Sequence, residues 1–369
     1  MRSRAGWTSS RTTRHLIFPP VDQALGPMLE VDGLRTSFRT PRGVVRAVDG
    51  VSLGLDRGRT LGIVGETGSG KTMLARSIMG LLPAGGRDRL GVERSGTVRF
   101  AGHDLTGLPP AQLRQVWGTQ IAMVFQDPMT ALNPVVRVGR QITESLRLRM
   151  GMGRSDAKET ALALLSSVGI ADPGRHLRSY PHELSGGMRQ RVMIAIAIAC
   201  GPRLLLADEP TTGLDVTIQA QILDLLADLQ RERSMAMVLV THDLGVVAGR
   251  ADETAVMYAG RIVEQAATAE LFAHPLMPYS QALLAAIPRL ADAAGTRPKP
   301  IPGRPPDLAS LAPGCRFAPR CPYARERCRE ADPPLVEAGS GHRFACWYPL
   351  SLEDADTPAS DLGDSQGEA

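Results

Sequence analysis

The 369 residues have room for one large domain with a smaller one, or for two of medium size. Apolar residues make up 43%, enough for an ordinary buried core, and the net charge of +4 is small and dispersed, which gives no ground for a nucleic-acid partner. The longest apolar run, Val192 to Cys200, falls far short of the roughly 20 residues that a spanning helix needs.

The first 27 residues hold Arg2, Arg4, Arg11 and Arg14 against a single acid, Asp22. The composition is that of a transit segment, but the apolar core of a secretory signal is missing. A disordered extension is expected, or a true start at Met28, where the first strand-like run opens. Residues 28–38 and 44–56 alternate as strands do, around the turn signal Thr40-Pro41-Arg42-Gly43.

The apolar run Leu61 to Val64 then breaks at Gly65 into a loop that ends in Gly70-Lys71-Thr72, before the helical pattern of Met73, Leu74, Ile78 and Leu81. This is the phosphate-binding spacing G-x-x-x-x-G-K-[ST] in the strand-to-helix setting it requires. Glycines at 65, 68 and 70, with Thr67 and Ser69 between them, let successive N–H groups converge on one anion. The helix start adds its positive end. Lys71 supplies a full charge for the terminal phosphates, and the Thr72 hydroxyl is placed to ligate Mg²⁺. Average residue usage puts a chance match in a chain of this length at about one per cent.

A loop-rich span, Pro83–Gly96, leads to a short strand at Thr97–Phe100, a helical pattern over Asp104–Trp117, and an apolar strand, Ile121–Phe125, that ends at Gln126. From Asp127 to about Pro181 the pattern is helical, in Val138–Leu148, Ala157–Val168 and Arg175–Tyr180, as in an insert between halves of an α/β core. Alternation then returns with a helix at Met188–Cys200, a strand at Leu204–Ala207, a helix at Ile218–Arg231 and a strand at Ala236–Val240. This order implies a parallel sheet covered on both faces. Past Gly260 prolines accumulate (Pro298, Pro300, Pro302, Pro305, Pro306), marking a linker into a cysteine-bearing region. Residues 352–369 carry six acids and no base, the composition of a disordered tail.

The strand at Leu204 delivers Asp208 and Glu209 at its carboxyl end, where open α/β sheets bind ligands. Phosphoryl transfer needs a carboxylate near the metal and a group to orient the attacking water. Asp208 fits the first role and Glu209 the second, as general base. A second glycine-rich helix start, Leu184-Ser185-Gly186-Gly187-Met188-Arg189-Gln190-Arg191, has Ser185 as a good N-cap and forms another anion site.

This octapeptide resembles the signature motif of ABC-transporter ATPases, whose cassette also contains the phosphate loop and the acid pair. The resemblance implies the α/β fold of a P-loop NTPase cassette, with a parallel sheet core, an antiparallel β subdomain and a helical subdomain at about 127–185. It further implies a dimer in which Ser185, Gly186 and Gly187 of one subunit close over ATP and Mg²⁺ held by the glycine loop of another. Gln126 matches the family's glutamine, which contacts Mg²⁺ and reports to the membrane subunits. Thr212-Gly213-Leu214-Asp215 resembles the loop that crosses the dimer interface, with Gly213 in place of the more usual alanine. His242 matches the histidine that contacts the γ-phosphate. Phe38 is the one aromatic suitably placed before the glycine loop to stack on adenine.

The resemblance covers roughly residues 28–350. Gln126-Asp127-Pro128-Met129-Thr130-Ala131-Leu132-Asn133-Pro134, the lead-in Tyr180-Pro181-His182-Glu183, Pro278-Tyr279-Ser280-Gln281-Ala282-Leu283-Leu284 and Ile301-Pro302-Gly303-Arg304-Pro305-Pro306 are similar to peptide and nickel importer ATPases. Met129 and Met188 lean towards the subunit usually designated D. The subfamily implies a cassette at 28–265 and a C-terminal region at 266–350. It implies two transmembrane permease subunits, a second ABC ATPase, an external solute-binding protein and a position on the cytoplasmic face of the membrane. A soluble ABC ATPase working on DNA or ribosomes would carry two cassettes or long heptad coils, and neither is visible. A redox protein would show a flavin or nicotinamide motif, also absent.

Cys200 lies in an apolar helix and is expected in the core. Cys315, Cys321, Cys328 and Cys346 are separated by five, six and seventeen residues. Those gaps are wider than the two to four of most structural zinc sites and suit an iron–sulfur cluster. Arg316, Arg320, Arg327 and Arg343 are expected to offset its charge and favour thiolates. The similar tail in the subfamily is associated with a [4Fe–4S] centre; Zn²⁺ is the alternative and free thiols the third reading, with His342 a substitute ligand.

Overall fold

Two sheets organise the chain in the computed structural model, which describes residues 26–82, 91–287, 300–339 and 341–350. The expectations for Pro298 and for the acidic tail, and nearly all of those for the N-terminal extension, lie outside the described residues.

The first sheet is antiparallel. Its strands are β1 (Leu29–Thr40), β2 (Gly43–Leu55), β4 (Val92–Phe100) and β5 (His103–Asp104), in the order β2-β1-β4-β5. Alternate residues of β1, Leu29 and Val31, then Leu34 beyond a register shift, turn inward, as a one-face-buried strand requires. The second sheet contains β3 (Thr60–Val64), β6 (Ile121–Val124), β7 (Leu204–Asp208), β8 (Ala236–Thr241), β9 (Glu253–Tyr258), β10 (Arg261–Ala267), β11 (Val336–Ala338) and β12 (His342–Phe344). Its order is β11-β12-β10-β9-β3-β8-β7-β6, with parallel pairing from β9 through to β6. Every residue of β3, β6, β7 and β8 is buried, the signature of strands covered on both faces.

The helical insert forms as expected. Helices Val138–Met150 and Arg154–Ser167 pack through Val138, Ile142, Leu146, Ala157, Ala161 and Leu165, and their interior is continuous with that of the second sheet. The pattern read as Arg175–Tyr180 is shorter, Pro173–His176, and a 3₁₀ turn at Pro181–Glu183 follows. The helix expected over Asp104–Trp117 spans only Pro110–Val116. Pro110 occupies its first turn, where a missing N–H costs nothing, and Pro109 before it holds extended backbone. The strand expected at Thr97 begins earlier, at Val92.

The hairpin β9–β10 turns at Ala259-Gly260, both at positive φ. The C-terminal region then returns to the same sheet: β12 pairs with β10, and the Ala345 N–H donates to the Val263 carbonyl at 2.8 Å.

Candidate nucleotide-binding and hydrolysis site

Parallel register brings four strand ends to one edge of the second sheet. Val64 lies opposite Thr241, Asp208 opposite Val240, and Val124 opposite Ala207. The glycine loop, His242, the acid pair and Gln126 therefore emerge side by side at the carboxyl ends of β3, β8, β7 and β6.

The loop needs its glycines. Gly65 and Gly70 hold φ of 153° and 105°, and a Cβ on either would stand 2.1 Å from a backbone carbonyl oxygen, of Met257 and Ala47 respectively. Gly68 is also at positive φ, with Thr67 exposed and Ser69 buried on either side. The helix Lys71–Ile78 begins directly after Gly70. Lys71 folds back over the loop, and its Nζ donates to the carbonyls of Gly65 at 2.7 Å and Glu66 at 3.0 Å. Burial lowers its pKa, opposed by the nearby Glu209, Asp208 and Glu66 carboxylates. These carbonyl bonds are ones that a phosphate can replace.

Thr72 Oγ1 donates to Asp208 Oδ1 at 3.0 Å. Asp208 is fully buried, its pKa raised by that burial, and its Oδ2 has no hydrogen-bond partner among the described residues. A buried, orphaned carboxylate oxygen beside a threonine hydroxyl fits a hard cation such as Mg²⁺. Glu209 Oε2 accepts from Gln126 Nε2 and from Thr212 Oγ1, both at 2.9 Å, and lies 3.4 Å from His242 Nδ1. The expected residues Gln126, Glu209 and His242 thus meet on one oxygen. Thr212 joins them, and the contiguous motif had assigned it only to the crossing loop.

Ser185 caps the helix Gly186–Ile198, its hydroxyl accepting from the Met188 N–H at 3.3 Å, and Ser185 and Gly186 are exposed. Gly187 lies under Ile218, where a Cβ would come within 2.8 Å of that side chain. Asp215 caps the next helix, Val216–Arg233, through the Ile218 N–H. Gly213 stands at φ 77°, a conformation that the usual alanine avoids. Phe38 is half-buried in β1, opposite Val45 and Val92.

Cys315, Cys321, Cys328 and Cys346 line one apolar cavity with Met277, Phe317 and Trp347. It measures about 20 Å³, room for about one water molecule. Among the described residues no three or more His, Cys, Asp or Glu side chains stand in metal-holding geometry. The expected arginine support is absent. Arg316 is engaged by Asp49 and Arg320 by Glu66, Arg327 lies over the Trp347 ring at 3.8 Å, and Arg343 donates to Gln265. Instead of favouring thiolates, burial pushes the Cys321 thiol up to about 12 and that of Cys346 to about 11, and raises that of Cys315. His342 is committed to the buried Glu264, at 2.8 Å, and does not line the cavity. Cys200 is buried, as expected.

A family profile described as ABC transporter matches residues 48–212, and one described as oligopeptide/dipeptide transporter, C-terminal region, matches residues 263–328. The oligopeptide transport ATP-binding protein OppD of Salmonella typhimurium is 49% identical over 328 residues, 89% of this chain and 96% of that protein. A probable peptide ABC transporter ATP-binding protein of Sinorhizobium fredii is 50% identical over 320 residues, 87% of this chain and 94% of the relative. Among solved structures, a dimeric ATP-binding cassette in a post-hydrolysis state, bound to ADP and phosphate, superposes with a TM-score of 0.58 at 26% identity, over 65% of this chain and 99% of the other. On these grounds the chain belongs to the ABC-transporter ATPases, in the group of the oligopeptide transport ATP-binding proteins.

Proposed function

We propose that this chain hydrolyses ATP to power import of di- or oligopeptides, or of a related solute such as nickel, through a membrane complex. The observation that carries the reading is the convergence of Lys71, Thr72, Gln126, Asp208, Glu209 and His242 at one sheet edge. Thr72, Asp208 and Gln126 would hold Mg²⁺, which when bound neutralises charge on the phosphates. The N–H groups of Gly65 to Thr72 and the Lys71 ammonium bind the phosphate chain, and Phe38 stacks on adenine. Glu209 takes the proton of the attacking water, held in place by Gln126, Thr212 and His242. Ser185, Gly186 and Gly187, with Asp215, lie on the surface that faces the nucleotide of a second ABC ATPase, different in kind or a second copy. Two permease subunits anchor the pair at the cytoplasmic face, and an external solute-binding protein delivers cargo to them. Among the described residues no helix is long and apolar enough to cross a membrane. Affinity capture from detergent-solubilised membranes should bring down two polytopic proteins and a second P-loop chain; capture of neither contradicts the transport reading.

The four cavity cysteines are assigned a [4Fe–4S] cluster, with zinc as the alternative. That all four cysteines line one space is the supporting observation, since thiolates select soft metals. Anaerobic isolation should give absorbance at about 410 nm together with iron and sulfide. Stoichiometric zinc without iron excludes the cluster.

A further inference from the structure

The segment 315–321 lines the cysteine cavity with Cys315 and Cys321, while Arg316, just after the first, pairs with Asp49, and Arg320, just before the second, pairs with Glu66 of the glycine loop. Arg320 is almost fully buried, its side chain 3% exposed. Its guanidinium grips the Glu66 carboxylate with two prongs, at 2.5 and 2.9 Å. It is itself fixed by the Pro302 carbonyl at 2.7 Å and the Tyr258 hydroxyl at 3.3 Å. Glu66 is the second residue of the phosphate loop. Its N–H donates to the Tyr279 hydroxyl at 2.9 Å, and its carbonyl accepts from Lys71 Nζ at 3.0 Å. Two of its three polar handles are therefore held by residues beyond 265, and the third by the lysine that meets phosphate. Behind this contact Tyr258, Tyr279 and Phe317 form a closed aromatic trio with centroids 4.5 to 5.3 Å apart.

Arg316 braces the other side. It pairs with Asp49 and donates to the Ala259 carbonyl, while the Gly260 N–H donates to the Ser69 carbonyl at 2.8 Å. Neither arginine is available to the thiols.

A carboxylate in a polyphosphate-binding loop is an electrostatic oddity. It repels the ligand, and it lies near enough to Lys71 to favour that group's charged form. Pairing with a fully ionised fork offsets the repulsion of the ligand and fixes the backbone at residue 66. We infer that Arg320 is a positioning residue for nucleotide binding: it neutralises and orients Glu66, so that the C-terminal region sets how well the phosphate loop accepts ATP. The inference rests on the reading of this loop as the ATP site.

The test measures ATP affinity of the full-length chain by isothermal titration, with folding checked by thermal melting. Arg320→Met should weaken ATP binding about tenfold, the scale of one uncompensated charge at a partly solvated site. Adding Glu66→Gln to that variant should restore affinity to within about threefold of the parent, which a merely structural role for Arg320 does not predict. Parental affinity in Arg320→Met, or no restoration by Glu66→Gln, overturns the inference. If Arg320→Met does not fold, Arg320→Lys carries the test. It keeps the charge and loses the fork, so about threefold weaker binding supports the inference and unchanged binding overturns it. Lys71→Ala, run alongside, should abolish binding. If it binds ATP normally, the reading of the loop itself fails, independently of Arg320.

Discussion

Glu209 combines a demanding backbone with a crowded side chain. It adopts φ 46°, unusual for a residue with a Cβ, while its N–H donates to the Val240 carbonyl at 2.9 Å and one carboxylate oxygen serves Gln126, Thr212 and His242. Strain of this kind persists only where neighbours over-determine it. Glu209→Gln keeps the shape and loses the base, so ATP affinity should stay near parental while steady-state hydrolysis falls by roughly 10²-fold or more. Parental turnover in that variant removes Glu209 from the mechanism. The cysteines give a second residue-scale expectation, for metal-free protein. An ordinary thiol ionises near 9, whereas folded Cys321 keeps its proton to about 12. The unfolded chain therefore loses protons first as pH rises. The contribution is complete below pH 9 and drains away towards pH 12, so the chemical-denaturation midpoint should fall across that window. A Cys321→Ser variant should show a shallower fall; identical slopes contradict the assignment.

At the scale of elements, the residues most readable from sequence were those packed into short contiguous motifs. The glycine loop, the strand that ends in Asp208-Glu209 and the Ser185 cap each carry their own local physics, and all three formed as expected. What stayed hidden were pairings between distant segments. Arg320 and Glu66 are 254 residues apart, and no spacing rule connects them. The arginines near the cysteines misled for the same reason. Local charge pointed to the thiols, but carboxylates, a tryptophan ring and a glutamine from other elements competed better. The adjacent prolines at 109 and 110 confine the helix expected over Asp104–Trp117 to Pro110–Val116. The crossing loop gives a prediction at this scale. Gly213 holds φ 77° with open space around it, so Gly213→Ala meets no clash and pays only conformational strain. Its expected cost is about 1 kcal/mol in chemical denaturation. Unchanged stability shows that the loop does not need the left-handed conformation.

Across the whole molecule, the C-terminal region is built into the cassette's main sheet and does not merely hang from it. β12 covers β10 and is itself covered by the short β11, whose Val336 and Glu337 are exposed. Glu264 of β10 is fully buried and spends its oxygens on His342 of β12 and on the N–H groups of Leu276 and Met277. A chain cut after residue 287 keeps every hydrolytic residue named above. It also loses the His342 imidazole that bonds the Glu264 carboxylate and the strand that covers it. It should melt well below the full-length protein, as differential scanning calorimetry can check. The sheet order carries a further penalty for such a fragment. Stripped of its last two strands, β10 becomes a bare row of unsatisfied amides and carbonyls, a template on which stray copies can zip together into fibrils.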